Sequence, residues 1–185
     1  MIKRLASREL ETKFGAFTEI LYYDGQRDSI AIVMGDVGGE ENILCRVHSH
    51  CIGAHIFNSI ECTCREEMES AQSMIEREGR GVIIWLDQEA KGNGHLAVIE
   101  SIPFKKEHGQ AKAYEMAGYK ADARDYRAAA QILSDLKIQS IILLANSNSK
   151  ATDLEKEGIV VAGRKSGESI GSSESNSSTN GADAI

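Results

Sequence analysis

Three cysteines, Cys51, Cys62 and Cys64, stand in a C-x10-C-x-C arrangement. Thiolates so spaced can hold zinc, and three of them with no fourth protein ligand would leave one position open for water, the mark of a catalytic centre. Zinc there lowers the pKa of water and makes hydroxide available near neutral pH. Three negative sulfurs weaken that effect, so a nearby base or hydrogen-bond acceptor is expected. Two plainer readings stand beside this one. His48 or His50 could complete a closed structural site, or the three thiols could be buried apolar side chains. Cys45 differs from them. It alternates with Ile43 and Val47 on one strand face and reads as an ordinary core residue.

The elements that must position these groups follow from the hydrophobic pattern. Residues 17–23, 29–34 and 43–48 are rich in β-branched or aromatic residues and are separated by turn-prone Asp24-Gly25 and a glycine-rich stretch at 35–39, so the first third reads as strands. From Cys64 the period becomes helical, with Met68, Ala71 and Ile75 on one face and Gly79 as the stop. Residues 81–86 form a continuous apolar run of the kind buried on both faces, and 140–145 form a second. Helices are expected over 96–106, 124–136 and 150–157, with a last strand at 159–162. Pro103, the sole proline, should break or kink the first of these. The whole reads as α+β (mixed α/β): a central mixed β-sheet, a β-rich N-terminal third and flanking helices. Residues 1–164 are expected to form the folded domain. Residues 165–185 are mostly Ser, Gly, Asn, Glu and Ala without apolar period, the composition of a disordered tail.

A formal charge of -7 argues against a nucleic-acid binder, which normally carries a basic face. It leaves room for an anionic small ligand, because a few focused cations overcome a negative average. No run of 18 apolar residues suggests a membrane span. The N-terminal MIKRLASREL has no apolar core of a secretory signal, so a cytoplasmic location is expected.

The cysteines sit in segments that resemble GTP cyclohydrolase II. The run Arg46-Val47-His48-Ser49-His50-Cys51, then Ser59-Ile60-Glu61-Cys62-Thr63-Cys64, is similar to that family's zinc-binding segment. Further similarity follows in order: Glu78-Gly79-Arg80-Gly81, Gln88 to Gly94, Ala121 to Tyr126, and Leu143 to Lys150. The resemblance covers roughly residues 3–163. It implies hydrolytic opening of the imidazole ring of GTP with release of formate and pyrophosphate, the first step toward riboflavin. It also implies zinc on Cys51, Cys62 and Cys64, Arg124 as the group acting at the α-phosphorus, and Asp122 as proton acceptor. Arg46, Ser49, Glu67, Glu89, Lys91 and Lys150 fall on positions that contact nucleotide, magnesium is expected with the phosphates, and a homodimer is the expected assembly. An arginine above pKa ~12 is an awkward nucleophile, so stabilising the transferring phosphoryl charge is the alternative role for Arg124.

The chain also departs from the family pattern. Glu89-Ala90-Lys91 replaces Glu-Gly-Arg, Glu67 replaces a glutamine, and Ala145 replaces a threonine. Where the family has a catalytic tyrosine in a helix, this chain reads Ser101-Ile102-Pro103-Phe104, with Tyr114 and Tyr119 as possible substitutes. Three readings follow: an authentic GTP cyclohydrolase II, a relative that stops at a formylated pyrimidine or opens another ring such as a uracil nucleotide, and a non-catalytic zinc-stabilised nucleotide-binding protein.

Overall fold

The computed structural model describes residues 1–145 and 149–166. Residues 146–148 of the last motif, and 167–185 of the expected tail, lie outside the described residues. Seven strands are β1 (Lys3–Thr12), β2 (Gly15–Tyr23), β3 (Asp28–Met34), β4 (Ile43–Ser49), β5 (Gly81–Leu86), β6 (Ile141–Leu144) and β7 (Val161–Lys165). The helices are α1 (Ile52–His55), α2 (Cys64–Glu78), α3 (His95–Met116), α4 (Arg127–Asp135) and α5 (Ser149–Lys156). The strands form one mixed sheet in the order β1-β2-β3-β5-β4-β6-β7, flanked by helices, which is the expected α+β architecture. The pairs from β1 to β5 are antiparallel, and β5, β4, β6 and β7 run parallel.

Strand alternation decides which helix meets which side chain. Ile43, Cys45 and Val47 of β4 share a face with Val82 and Ile84 of β5, and α4 and α5 cover it with Ile132, Leu133 and Leu154. Leu44 and Ile83 point the other way, against Ala71, Met74 and Ile75 of α2. Burying a side chain such as Ile75 stabilises the fold by about 1.5–3 kcal/mol. Arg46 and His48 have the parity of Leu44, so they too point toward α2. Cys45 is fully buried, as its alternation suggested.

Three local expectations need correction, and the strand-rich first third holds one strand that none of the named runs covers. β1 is a strand that the sequence pattern does not reveal, because nearly all of its side chains are exposed at the sheet edge and carry no alternation. The last strand is Val161–Lys165 rather than 159–162, because its register is fixed by pairing with β6. The helix expected from Arg124 starts only at Arg127. The helix through Pro103 does not break there. Its interruption is at Gly109, whose φ of 73° and ψ of 167° suit glycine. Pro103 removes one N–H, and Ile99 and Ile102 beside it are more than half exposed, so water can satisfy the freed carbonyl.

Candidate functional site

The parallel strands β4, β5 and β6 bring their C-terminal ends to one edge, where ligands bind in open α/β sheets. Cys51 follows β4 in extended conformation at the start of α1, and Cys64 opens α2. The segment between them is fastened by backbone contacts. Arg65 donates to the carbonyls of Ala54 at 2.9 and 2.7 Å and of His55 at 2.7 Å. The N–H of Ser59 donates to Gly53 O at 2.9 Å, and that of Ile52 donates to Glu89 Oε2 at 2.9 Å.

That folding brings the three sulfurs within 4.8 Å of one another, with Cys51 and Cys62 3.6 Å apart. Four ligands at about 2.3 Å around tetrahedral zinc place sulfurs about 3.8 Å apart, so the cluster fits such an ion. Burial, reinforced by the neighbouring sulfurs, pushes the Cys51 and Cys64 thiols up, so a bound cation must displace protons. Neither His48 nor His50 joins the group among the described residues. His50 turns to Asp87 at 3.2 Å. His48 lies against Arg46, whose Nε donates to its Nδ1 at 3.4 Å. Burial, then the Arg46 charge, takes His48 down to about 2, and its Nε2 has no hydrogen-bond partner among the described residues. The described geometry thus favours three protein ligands over a closed histidine-completed site.

Above the sulfurs opens a cavity of about 440 Å³. Arg46, Ser49, Glu67, Glu89, Lys91, Arg124 and Lys150 all reach its wall. Asp122 does not line it but grips Arg124, which donates from Nε to Oδ1 at 2.9 Å and Oδ2 at 3.1 Å. Burial raises the Asp122 carboxyl, yet the bonds from Arg124 win and hold it below its usual range. Arg124 stays charged and lies 5.6 Å from the Tyr126 ring centre. Lys150 is buried with its Nζ on Val47 O at 2.7 Å, and burial, then Arg46 and Arg124, lowers its ammonium to about 7. A larger opening of about 590 Å³ between Asp24–Arg27 and Asp125–Arg127 holds no metal-binding cluster among the described residues.

Two features of the wall carry conformations that the sequence pattern does not specify. Ala90 and Lys91 both adopt left-handed backbone, φ 55° and 54°, in the turn after β5. Ala90 thus keeps a conformation natural to glycine, at a cost of about 1–2 kcal/mol. The second is Tyr114. The Gly109 interruption folds the last turns of α3 back, packing Tyr114 against Ala90 and Ala97 at 4% exposure on the cavity wall. Burial, then the Glu89 charge, raises its phenol to about 12. Tyr119 instead bonds Glu100 on the surface. The sequence leaves Tyr114 and Tyr119 open as substitutes for the family tyrosine expected near Pro103, and the turn at Gly109 brings Tyr114 to the wall.

Comparison with known proteins now decides the family. The GTP cyclohydrolase II family model matches residues 3–166. The chain belongs to the GTP cyclohydrolase II family. Among curated relatives, a riboflavin biosynthesis protein RibBA of Bacillus cytotoxicus is 40% identical over 79% of this chain and 38% of its own length. The RibBA of Chlorobium phaeovibrioides is 35% identical over 89% of this chain and 41% of its own length. The GTP cyclohydrolase II chain described here therefore spans about two-fifths of these relatives. A crystal structure of RibBX, a two-domain 3,4-dihydroxy-2-butanone 4-phosphate synthase from A. baumannii, aligns over 80% of this chain and 35% of that one. At 16% identity and a TM-score of 0.47 it carries no argument. Among the described residues, no helix is long and apolar enough to cross a membrane.

Proposed function

We propose that this chain hydrolyses the imidazole ring of GTP, releasing formate and pyrophosphate and leaving a 2,5-diamino-6-ribosylamino-pyrimidinone phosphate. The observation that carries this is the meeting of three convergent thiols with Arg124 and Lys150 in one cavity of a family member. Zinc on Cys51, Cys62 and Cys64 would supply water acidified enough to add to the carbon between the two ring nitrogens.

The chain's own residues do the rest. Arg124 and Lys150 meet the phosphates. Arg124 remains a guanidinium because Asp122 holds it, so its role is to stabilise charge at the α-phosphorus rather than to attack it. Asp122, kept ionised, orients that fork and accepts a proton only weakly. Tyr114 keeps its proton to high pH and donates a hydrogen bond toward the opening ring. Glu89, with its side chain 11% exposed, is placed to accept from a donor edge of the base, and magnesium accompanies the phosphates.

A second reading is favoured by one observation. Ile102, on the helical turn where the family tyrosine is expected, lines the cavity and offers no proton. If Tyr114 does not replace that tyrosine, the reaction stops at the formamidopyrimidine. The Leu96, Ile99 and Ile102 side chains are more than half exposed along α3, which supports a homodimer. The protein is expected in the cytoplasm.

Incubation of zinc-loaded protein with GTP and magnesium, followed by product mass spectrometry and formate assay, tests the reading. Formate, pyrophosphate and the diaminopyrimidine are the expected products. A formylated product selects the second reading, and unchanged GTP sinks both.

A further inference from the structure

Hydrolytic ring opening moves protons as well as bonds, and few groups on the cavity wall are free to carry them. Tyr114 keeps its proton up to about 12. Ile102 has none to give, and Asp122 lies off the wall in the grip of Arg124. Lys150 is buried on Val47 O beside the cations assigned to the phosphates. His48 is buried and its Nδ1 accepts from Arg46. His50 is turned to Asp87 at 3.2 Å, with Glu89 farther off at 4.0 Å. His95 differs from all of these. It opens α3 directly after Gly94, lines the cavity, and keeps 42% of its side chain exposed. Its Nδ1 stands 3.7 Å from Glu89 Oε1. The other Glu89 oxygen accepts from the N–H of Ile52, the residue after Cys51, at 2.9 Å. One nearly buried carboxylate therefore stands between the start of the cysteine loop and the imidazole. A carboxylate facing Nδ1 favours the neutral tautomer with its hydrogen there and leaves Nε2 as an acceptor. It also stabilises the imidazolium that forms when Nε2 takes up a proton.

We propose that His95, oriented by Glu89, carries the protons of ring opening through its Nε2. Water adds to the carbon between the two ring nitrogens, forming a C–O bond. His95 takes one of the water's protons and returns it to the first nitrogen, which the addition has made basic. The proton of the new hydroxyl then leaves by the same route as the bond from carbon to the second nitrogen breaks. It reaches that departing nitrogen, and a formyl group stays on the first. Both protons of the water end on nitrogen, no oxidant or reductant enters, and the imidazole finishes neutral as it began. Glu89 acts as a positioning residue and keeps its charge throughout. The inference rests on the proposed reaction and gives a role to a residue that the proposal leaves idle.

The test follows GTP consumption by the full zinc-loaded chain with magnesium present. His95→Gln keeps a polar side chain of similar length that cannot relay a proton. It should lower kcat about 10²–10⁴-fold while changing KM less than about threefold. His95→Ala should lose as much, and added imidazole should restore its rate about tenfold or more, saturably, with no effect on His95→Gln. Zinc content and melting temperature of both variants should match the wild type, since the side chain is well exposed. A measurement without any variant stands beside these. Long-range nitrogen NMR of the resting protein, at a pH where the ring is neutral, should find the His95 hydrogen on Nδ1. A wild-type kcat in His95→Gln, a loss in His95→Ala that imidazole does not lift, or the hydrogen on Nε2 would each overturn the proposal and leave the proposed reaction standing. A wild type that consumes no GTP would remove that reaction and this inference together.

Discussion

The backbone N–H of Ala123 donates to the carbonyl of Lys91 at 2.9 Å, joining the turn after β5 to the loop that carries Asp122 and Arg124. Gly92 sits against this junction. A Cβ there would lie 2.6 Å from Ala123 O, and its φ is already +84°. Gly92→Ala should therefore cost about 1–3 kcal/mol of stability and displace Arg124. The expected signature is a large loss of pyrophosphate release with full zinc content. A variant with a wild-type rate and melting temperature would show that the junction does not position the loop.

Cys62→Ser should lose zinc and ring opening together. Metal analysis of the purified variant, paired with the formate assay, reads both, and turnover by a zinc-free variant would end the metal mechanism. Because burial raises the neighbouring thiols, zinc loading of the wild type should release protons and weaken as pH falls.

Tyr114→Phe removes one hydroxyl from a packed ring and should leave the fold intact. Ring opening should fall about 10²–10⁴-fold if the phenol serves the proton step. Formylated product accumulating in the variant, and not in the wild type, would assign Tyr114 to the second hydrolysis. An unchanged rate and product would remove it from the mechanism.

Lys150 titrates near 7, well below the ordinary lysine value. A phosphate beside it favours its charged form, so above that pH nucleotide binding should take up a proton and weaken as pH rises. Titration calorimetry in two buffers of different ionisation enthalpy measures that uptake. Lys150→Met should abolish the linked proton, and its persistence would place the titration elsewhere. The unfolded chain holds this proton up to about 10.4, so the group's contribution to stability rises with pH between about 7 and that value.

The strands on either side of the site were legible because they are buried on both faces. Residues 81–86 read as a strand from apolar continuity alone, and Gly79 marked the end of α2, where φ is 75°. β1 was illegible because an exposed edge strand carries no apolar alternation. The cysteine spacing pointed to a metal, but chain order alone could not exclude His48 and His50. Their exclusion depends on where Arg46 and Asp87 hold them. Arg46 is the most instructive case. Its type suggests a phosphate ligand, whereas three-dimensional parity aims it at Glu67, twenty-one residues away across the sheet and helix. Which of two tyrosines enters the cavity was likewise decided by one backbone angle, at Gly109.

The position of β4 has a consequence for the order of assembly. It lies between β5 and β6, and its pairing of Leu44 with Ile142 joins residues almost a hundred apart. The three thiols, by contrast, fall within fourteen residues and precede both neighbours of β4 in the chain. During synthesis the cysteine loop emerges long before the strand that completes the other wall, so zinc, if bound there as proposed, would meet a half-built sheet. A nascent chain would then hold its metal before it has a pocket in which to use it.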